Sequence, residues 1–224
     1  MQKKRSYDEG CAAAHGLDLI GERWALLVVR ELLLGPKRFT DLKAGLPHVS
    51  PNVLAQRLRD LEAIGVVRHH KLPPPAASQV YELTDWGTQL EPVIMALGRW
   101  GARSPDMPFG APTSITSLII AFRTMFDPHA AESFNSSFEL RLGDERFSVR
   151  VEDGRLEIVQ GRVNQPDAVI ESDTGTLKAL AFGGWSLDEA LQAGALTMTG
   201  DKVSAQRFFK LFKLPEPVIA VESA

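Results

Sequence analysis

Among the 224 residues there is one cysteine, Cys11. A single thiol excludes an internal disulfide and fits a reducing cytosol, so a cytoplasmic protein is expected. Long apolar runs are also missing: no stretch approaches the length a bilayer span needs, and no membrane partner is expected. The opening Met1-Gln2-Lys3-Lys4-Arg5 is basic, but polar Ser6 to Glu9 follow it in place of an apolar run, so it does not read as a signal peptide. Catalytic signatures are scarce. Gly35-Pro36-Lys37 lacks the spacing of a phosphate loop, and neither Ser-x-x-Lys nor Gly-x-Ser-x-Gly occurs. His48, His69 and His70 have no cysteine or carboxylate at ligand spacing, so neither a metal nor any other cofactor is expected. The acidic residues of the second half fall mainly at turns and helix starts. The chain is therefore not read as an enzyme.

Charge of one sign is lacking too, since the net is −3, but it is unevenly spread. Residues 1–104 carry 14 Lys+Arg against 11 Asp+Glu, and residues 105–224 carry 11 against 17. A mildly basic half joined to an acidic half suits a DNA-binding domain with a separate partner domain.

The most informative stretch is Ser50 to Leu83. Ser50 is a good N-cap, Pro51 suits the first helical position, and Gly65 supplies a left-handed stop. Leu54, Leu58 and Leu61 form one apolar stripe, and Asn52, Gln56 and Arg59 lie opposite, with Val53 and Arg57 on the flank. After Gly65 the period changes. Val66 to Lys71 and Gln79 to Leu83 read as two strands joined by the Pro-rich Leu72 to Ser78. A capped helix followed by a basic hairpin is the winged-helix arrangement, in which the helix enters the major groove and the wing meets phosphate. The expected DNA-binding set is Arg38, Ser50, Asn52, Val53, Gln56, Arg57, Arg59, Arg68 and Lys71, with Gln56 and Arg57 reading bases.

Around this unit, helices are expected over Gly10 to Ile20, Trp24 to Leu34 and Asp41 to Gly45. A further helix is capped by Thr84-Asp85 and carries Leu90, Val93, Ile94, Leu97 and Trp100, with Pro92 placed to bend or delay it. This order resembles the HxlR family of prokaryotic winged-helix regulators over about Cys11 to Gly101. The residues that carry the likeness are Leu17-Asp18-Leu19-Ile20-Gly21-Glu22-Arg23-Trp24, Arg38-Phe39-Thr40-Asp41-Leu42, Val49-Ser50 with Leu54, Arg57-Leu58 and Leu61-Glu62, and Tyr81-Glu82-Leu83-Thr84 with Gly87. The resemblance implies a homodimer with much of its contact from the first and last helices, on a pseudo-palindromic double-stranded DNA operator. It also makes Cys11 a candidate redox sensor, because a helix N-terminus raises the thiolate fraction.

Residues 105–114 hold Pro105, Pro108 and Pro112 and read as a semi-extended linker between a domain at 1–104 and one at 115–224. The second half reads as a helix, a strand meander with Asp153-Gly154 as its strongest turn, then helices, one more strand and a final helix reaching about Leu214. The whole is α+β: a winged helix-turn-helix domain, then an antiparallel sheet with packed helices. Glu152-Asp153-Gly154, Pro166-Asp167, Leu187-Asp188-Glu189-Ala190 with Gly194, and Gly200-Asp201 resemble the sterol-carrier-protein-like domains. That likeness implies a tunnel for a small hydrophobic ligand, with Phe182, Trp185, Phe208 and Phe212 as candidate lining and core packing as their ordinary use. The two functional readings are an HxlR-type transcriptional regulator with an effector domain, and a lipid or small-molecule carrier whose winged helix binds protein. The polar set on Ser50, Asn52, Gln56 and Arg57 favours the first, because a protein-binding face is more often apolar.

Overall fold

The computed structural model describes residues 6–218. The chain forms two compact units that divide between Ile94 and Met95. The first contains α1 (Ala12–Ile20), α2 (Ala25–Leu32), α3 (Phe39–Gly45), α4 (Pro51–Ala63), the hairpin β1 (Val67–Lys71) and β2 (Gln79–Leu83), and α5 (Asp85–Thr88). The division falls inside α6 (Glu91–Gly101).

Local sequence explains most of these limits. Ser50 Oγ accepts the Val53 N–H at 3.3 Å and opens α4, with Pro51 inside the first turn where a missing donor costs nothing. Gly65, at φ +77°, ends it, and the Val66 N–H reaches back to the Leu61 carbonyl at 2.9 Å. The stripe Leu54, Leu58 and Leu61 is fully buried with Val28, Val29, Leu32 and Leu42. Cutting any of these leucines to alanine would cost about 2–5 kcal/mol. Helix α3 starts two residues before the expected Asp41, because the Asp41 carboxylate accepts the Arg38 N–H at 3.1 Å and so becomes the third residue of the helix. The single helix expected after Thr84 is in fact two. Thr84 Oγ accepts the Gly87 N–H at 3.1 Å and donates to the Gly65 carbonyl at 2.7 Å, which caps the start of the one-turn α5 and docks it on the end of α4. Pro92 then stands in the first turn of α6, the place where proline is tolerated.

The second unit opens with α7 (Ile115–Met125), capped by Ser114. Strands β3 (Ser136–Leu142), β4 (Glu145–Glu152), β5 (Arg155–Gln160) and β6 (Ala168–Ser172) follow, then α8 (Thr174–Phe182), α9 (Leu187–Gln192), β7 (Leu196–Gly200) and α10 (Lys202–Phe209). The sheet order is β5-β4-β3-β6-β7. It departs from a purely antiparallel sheet at one pair, β3 with β6, which run parallel in register Phe138↔Ala168 to Leu142↔Ser172. Asp167 secures that pairing: its carboxylate accepts from Ser136 Oγ at 2.9 Å and from the Ser137 N–H at 2.7 Å, tying the two strand starts together. These donors hold the Asp167 carboxyl below its ordinary range.

Alternation puts Phe138, Leu140 and Leu142 with Phe147, Val149 and Val151 on the covered face, and Arg146, Arg150, Arg155 and Glu157 on the open one. Helix α10 stops at Phe209, short of the expected Leu214. The chain beyond it pairs with the end of α7, where the Lys213 N–H donates to the Met125 carbonyl at 3.0 Å and Phe212 bridges Phe126. The segment read as a semi-extended spacer is held by α8. Lys178 Nζ donates to the Ala111 carbonyl at 2.7 Å and to Thr113 Oγ at 3.2 Å, lies over the Phe109 ring, and Thr174 Oγ donates to the Thr113 carbonyl at 2.9 Å.

Candidate nucleic-acid interface

Helix α4 presents one face to solvent. Asn52, Val53, Gln56 and Arg59 are exposed on it, and Ser50 and Pro51 are exposed at its N-terminus. Their spacing of three and four residues comes directly from the helical repeat, because the leucine stripe consumes the opposite side. The face is already organised by hydrogen bonds. Gln56 Nε2 donates to Asp60 Oδ1 at 2.8 Å, and Arg59 Nη2 donates to Gln56 Oε1 at 2.6 Å.

Arg57 departs from the expected arrangement. Its side chain is only 17% exposed and turns off the reading face, pairing with Asp60 at 3.0 Å and with Glu22 at 3.6 Å. Its Nε is buried with no hydrogen-bond partner. The cause is position: residue 57 adjoins Leu58 and Leu54 on the flank of the buried stripe, so the guanidinium meets the α1–α2 connection instead of open solvent.

The wing pairs in the expected register, Val67↔Leu83 to Lys71↔Gln79. Arg68 lies opposite Glu82 and pairs with it at 2.7 Å, and His70 Nε2 is 3.7 Å from the same carboxylate. Part of the wing's charge is thus neutralised within the hairpin, whereas Lys71 is exposed at the end of β1. His69 stacks on Tyr81 with ring centroids 4.4 Å apart. Burial, with the Glu62 charge adding to it, raises the Tyr81 phenol above its ordinary value. A backbone bridge between Lys37 and Tyr81 fastens the wing to the segment ahead of α3, and Arg38, the next residue, is exposed.

The sequence reading missed the acidic partners Glu22, Asp60 and Glu82. The i,i+4 spacing of Gln56 and Asp60 was a usable signal, but the Glu22–Arg57 approach was not, since it spans 35 positions. Glu31 was also unforeseen as a site of interest. It is fully buried in α2 and paired with Arg30 at 2.8 Å and Lys37 at 3.1 Å.

Cys11 is exposed at the N-terminus of α1. The backbone N–H groups of Ala14 and Ala13 beside it lower the thiol pKa from the ordinary value. Helix α1 has no buried residue, with Leu17 53% exposed. Of the apolar stripe on α6 only Ile94 is buried, while Val93, Leu97 and Trp100 are exposed at i, i+4 and i+7.

In the second unit, Phe208 and Phe212 are core residues. Phe212 stacks on Phe122 at 4.6 Å, Phe208 meets Phe212 at 5.0 Å and Phe138 at 4.7 Å, and half-buried Phe182 lies 6.0 Å from Phe122. The expected lining residues therefore fill one another's space, and Trp185 is half-buried beside them in sequence. An open, mainly apolar groove of ≈ 610 Å³ lies elsewhere in this unit, bounded by Ala96, Arg99, Trp100, Arg103, Pro215 and Glu216.

A capped helix with a polar outer face, followed by a basic hairpin and preceded by a short helix across a turn, defines a winged helix-turn-helix, a DNA-binding class. Comparison with known proteins places the chain within that class. Residues 19–107 match the family described as HxlR-like helix-turn-helix, and residues 112–221 match the family described as alkyl sulfatase C-terminal. An uncharacterised HTH-type transcriptional regulator of Bacillus subtilis, YvaP, is 37% identical over 93 residues, which are 42% of this chain and 86% of the relative.

The reduced form of the B. subtilis regulator YodB is 31% identical with a TM-score of 0.39, covering 44% of this chain and 97% of that one. The sec-alkylsulfatase Pisa1 from Pseudomonas sp. is 19% identical with a TM-score of 0.44, covering 50% of this chain and 18% of the enzyme. The chain belongs to the HxlR-type helix-turn-helix family and is a DNA-binding transcriptional regulator. The family matched by its second half is the alkyl sulfatase C-terminal one, in place of the sterol-carrier-like name expected from the short motifs.

Proposed function

We propose that this regulator binds a pseudo-palindromic operator as a homodimer and is not itself an enzyme. The observation that carries the operator contact is the exposed face of α4, where Asn52, Val53, Gln56 and Arg59 stand on a helix anchored by three buried leucines. Ser50 at the helix start, Arg38 ahead of α3, and Arg68 and Lys71 on the wing hold phosphate; Arg57 supports α4 from behind. Two-fold symmetry places the half-sites about one helical turn apart.

The dimer reading is supported by a nine-residue apolar helix with no buried residue, α1, and by the exposed Val93, Leu97 and Trp100 of α6. Leaving such surface wet is unfavourable by roughly 25 cal/mol per Å², so a second copy is the natural cover. Trp100→Asp and Leu97→Asp together should give a monomer in sedimentation velocity and abolish operator binding. A stable dimer carrying both changes would sink the assignment of that face.

The phosphate contacts are tested by salt titration. Removing one contact with Lys71→Ala should lower the log–log salt slope by about 0.9, and an unchanged slope would take the wing out of the interface. For the second domain we infer a regulatory role with a small hydrophobic effector. Phe182 and Trp185, the half-buried members of the expected lining, are where the packed cluster would open. Native mass spectrometry of freshly purified protein should find a retained apolar molecule. A bare protein with no thermal shift from a fatty-acyl and polycyclic panel would leave assembly as the domain's role. Cys11 is the candidate oxidant sensor: Cys11→Ser should bind DNA normally without oxidant and resist a quinone that releases the wild type.

A further inference from the structure

We propose that Arg59 reads a guanine in each half-site, and that Gln56 and Asp60 are positioning residues that aim its guanidinium. This rests on the reading of α4 as the major-groove helix. Four side chains on two turns of α4 form one directed chain. Arg57 Nη1 lies 3.0 Å from Asp60 Oδ2. Asp60 Oδ1 accepts from Gln56 Nε2 at 2.8 Å, and Gln56 Oε1 accepts from Arg59 Nη2 at 2.6 Å. The i+3 and i+4 spacings make these contacts possible on one helical face.

The order of the links decides the chemistry. An ionised carboxylate only accepts, so Asp60 can bind Gln56 only through its NH₂ end. That fixes the amide sense and leaves the carbonyl facing Arg59, which only donates. Reversing the amide would set its oxygen against the Asp60 carboxylate and its N–H against the Arg59 guanidinium. Arg57, itself paired with Glu22, occupies the other Asp60 oxygen and keeps Oδ1 turned toward Gln56.

A glutamine reads adenine by offering both its N–H and its oxygen to the base edge. Gln56 has both ends engaged along the helix, so it is poorly placed for that task. Arg59 is exposed, has one Nη held by Gln56, and keeps its other donors for the groove. An arginine supported in this way loses less side-chain freedom when it meets the O6/N7 pair of guanine, its best partner.

The test is selection of bound duplexes from a randomised pool by the full chain, with thermal melts to confirm that each variant is folded. The wild type should select a guanine at one symmetric position per half-site. In Arg59→Ala that preference should fall by about 5- to 150-fold, the range of one bidentate base contact. In Gln56→Ala and Asp60→Ala it should weaken by about 2- to 10-fold, the range of one supporting hydrogen bond, with guanine still preferred. Asp60→Asn keeps a carbonyl acceptor and should recover part of the Asp60→Ala loss. Retained guanine selection in Arg59→Ala, or loss of an adenine in Gln56→Ala, would overturn the assignment of roles while leaving α4 as the reader. No change at any position in these variants or in Asn52→Ala would overturn the placement of α4 in the groove as well.

Discussion

Replacing Gly87 with alanine should destabilise the winged-helix unit, although the change inserts a better helix former into α5. Two effects favour the variant. Alanine improves helix propensity by up to about 1 kcal/mol, and it restricts the unfolded chain by about 0.4–1 kcal/mol, an overlapping gain. Against these stands a collision. A Cβ at residue 87 would lie 2.1 Å from the Val66 carbonyl oxygen, 3.1 Å from its carbon and 3.2 Å from Leu83 Cδ2. Reaching even 3.0 Å from that oxygen requires a shift of about 0.9 Å.

Neither neighbour can yield easily. Val66 O accepts the Thr84 N–H at 3.1 Å at the start of the wing, and Leu83 is 6% exposed. Overpacking of this kind costs roughly 1–3 kcal/mol, and the oxygen contact sits at the severe end. The net expected loss is about 1–2 kcal/mol. In a unit of this size each kcal/mol moves Tm by roughly 4–8 °C. Circular dichroism melts and urea titrations followed by tryptophan fluorescence, with Trp86 next to the site, would read the change. A Tm equal to or above that of the wild type would refute the claim that Gly87 is glycine because of the Val66 carbonyl.

The N–H groups at the start of α1 favour the Cys11 thiolate, so its iodoacetamide reaction should reach half-maximal rate at a pH below that of an ordinary cysteine thiol; a midpoint at or above it would remove the helix-start effect. Arg57→Ala should weaken operator binding and stability together, because Asp60 and Glu22 lose their shared cation; loss of DNA affinity with an unchanged melt would restore Arg57 as a direct contact. Asp173→Ala should cost about 1 kcal/mol at neutral pH by uncapping α8. The Asp173 carboxyl is held below its ordinary range, chiefly by the Thr176 N–H, so that stability is present above the ordinary carboxylate pKa and lost as pH falls through the lowered one. Wild type and variant melts should therefore converge in acid, and a gap that persists there would disprove the capping account. Lys178→Ala should free residues 109–113 and speed their cleavage in limited proteolysis; equal rates would mean that Thr174 holds the segment without it.

How far the sequence reached depends on the range of the forces involved. Helix α4 was legible to within a residue of its end because its cap, its proline, its leucine spacing and its stop glycine all act within a few positions. The wing was legible because its two strands are separated only by the Pro-rich Leu72 to Ser78. The break between α5 and α6 follows from Pro92, which has no N–H to carry the helix on, but the contact of Thr84 with the Gly65 carbonyl was not legible, because it spans 19 positions. The early end of α10 has the same character: the chain around Phe212 leaves the helix to pair with the end of α7.

The sequence by itself determined which face of α4 is polar, that a wing follows it, and that Cys11 stands at a helix start, since periodicity, caps and turns are properties of neighbouring residues. Tertiary structure alone decided that β6 runs parallel to β3, that Arg57 faces Glu22 instead of solvent, and that Phe208 and Phe212 pack on Phe122. Each of these is a contact between residues far apart in the chain. Which partner such a residue meets is set by how the buried faces fit together, and no local pattern records that.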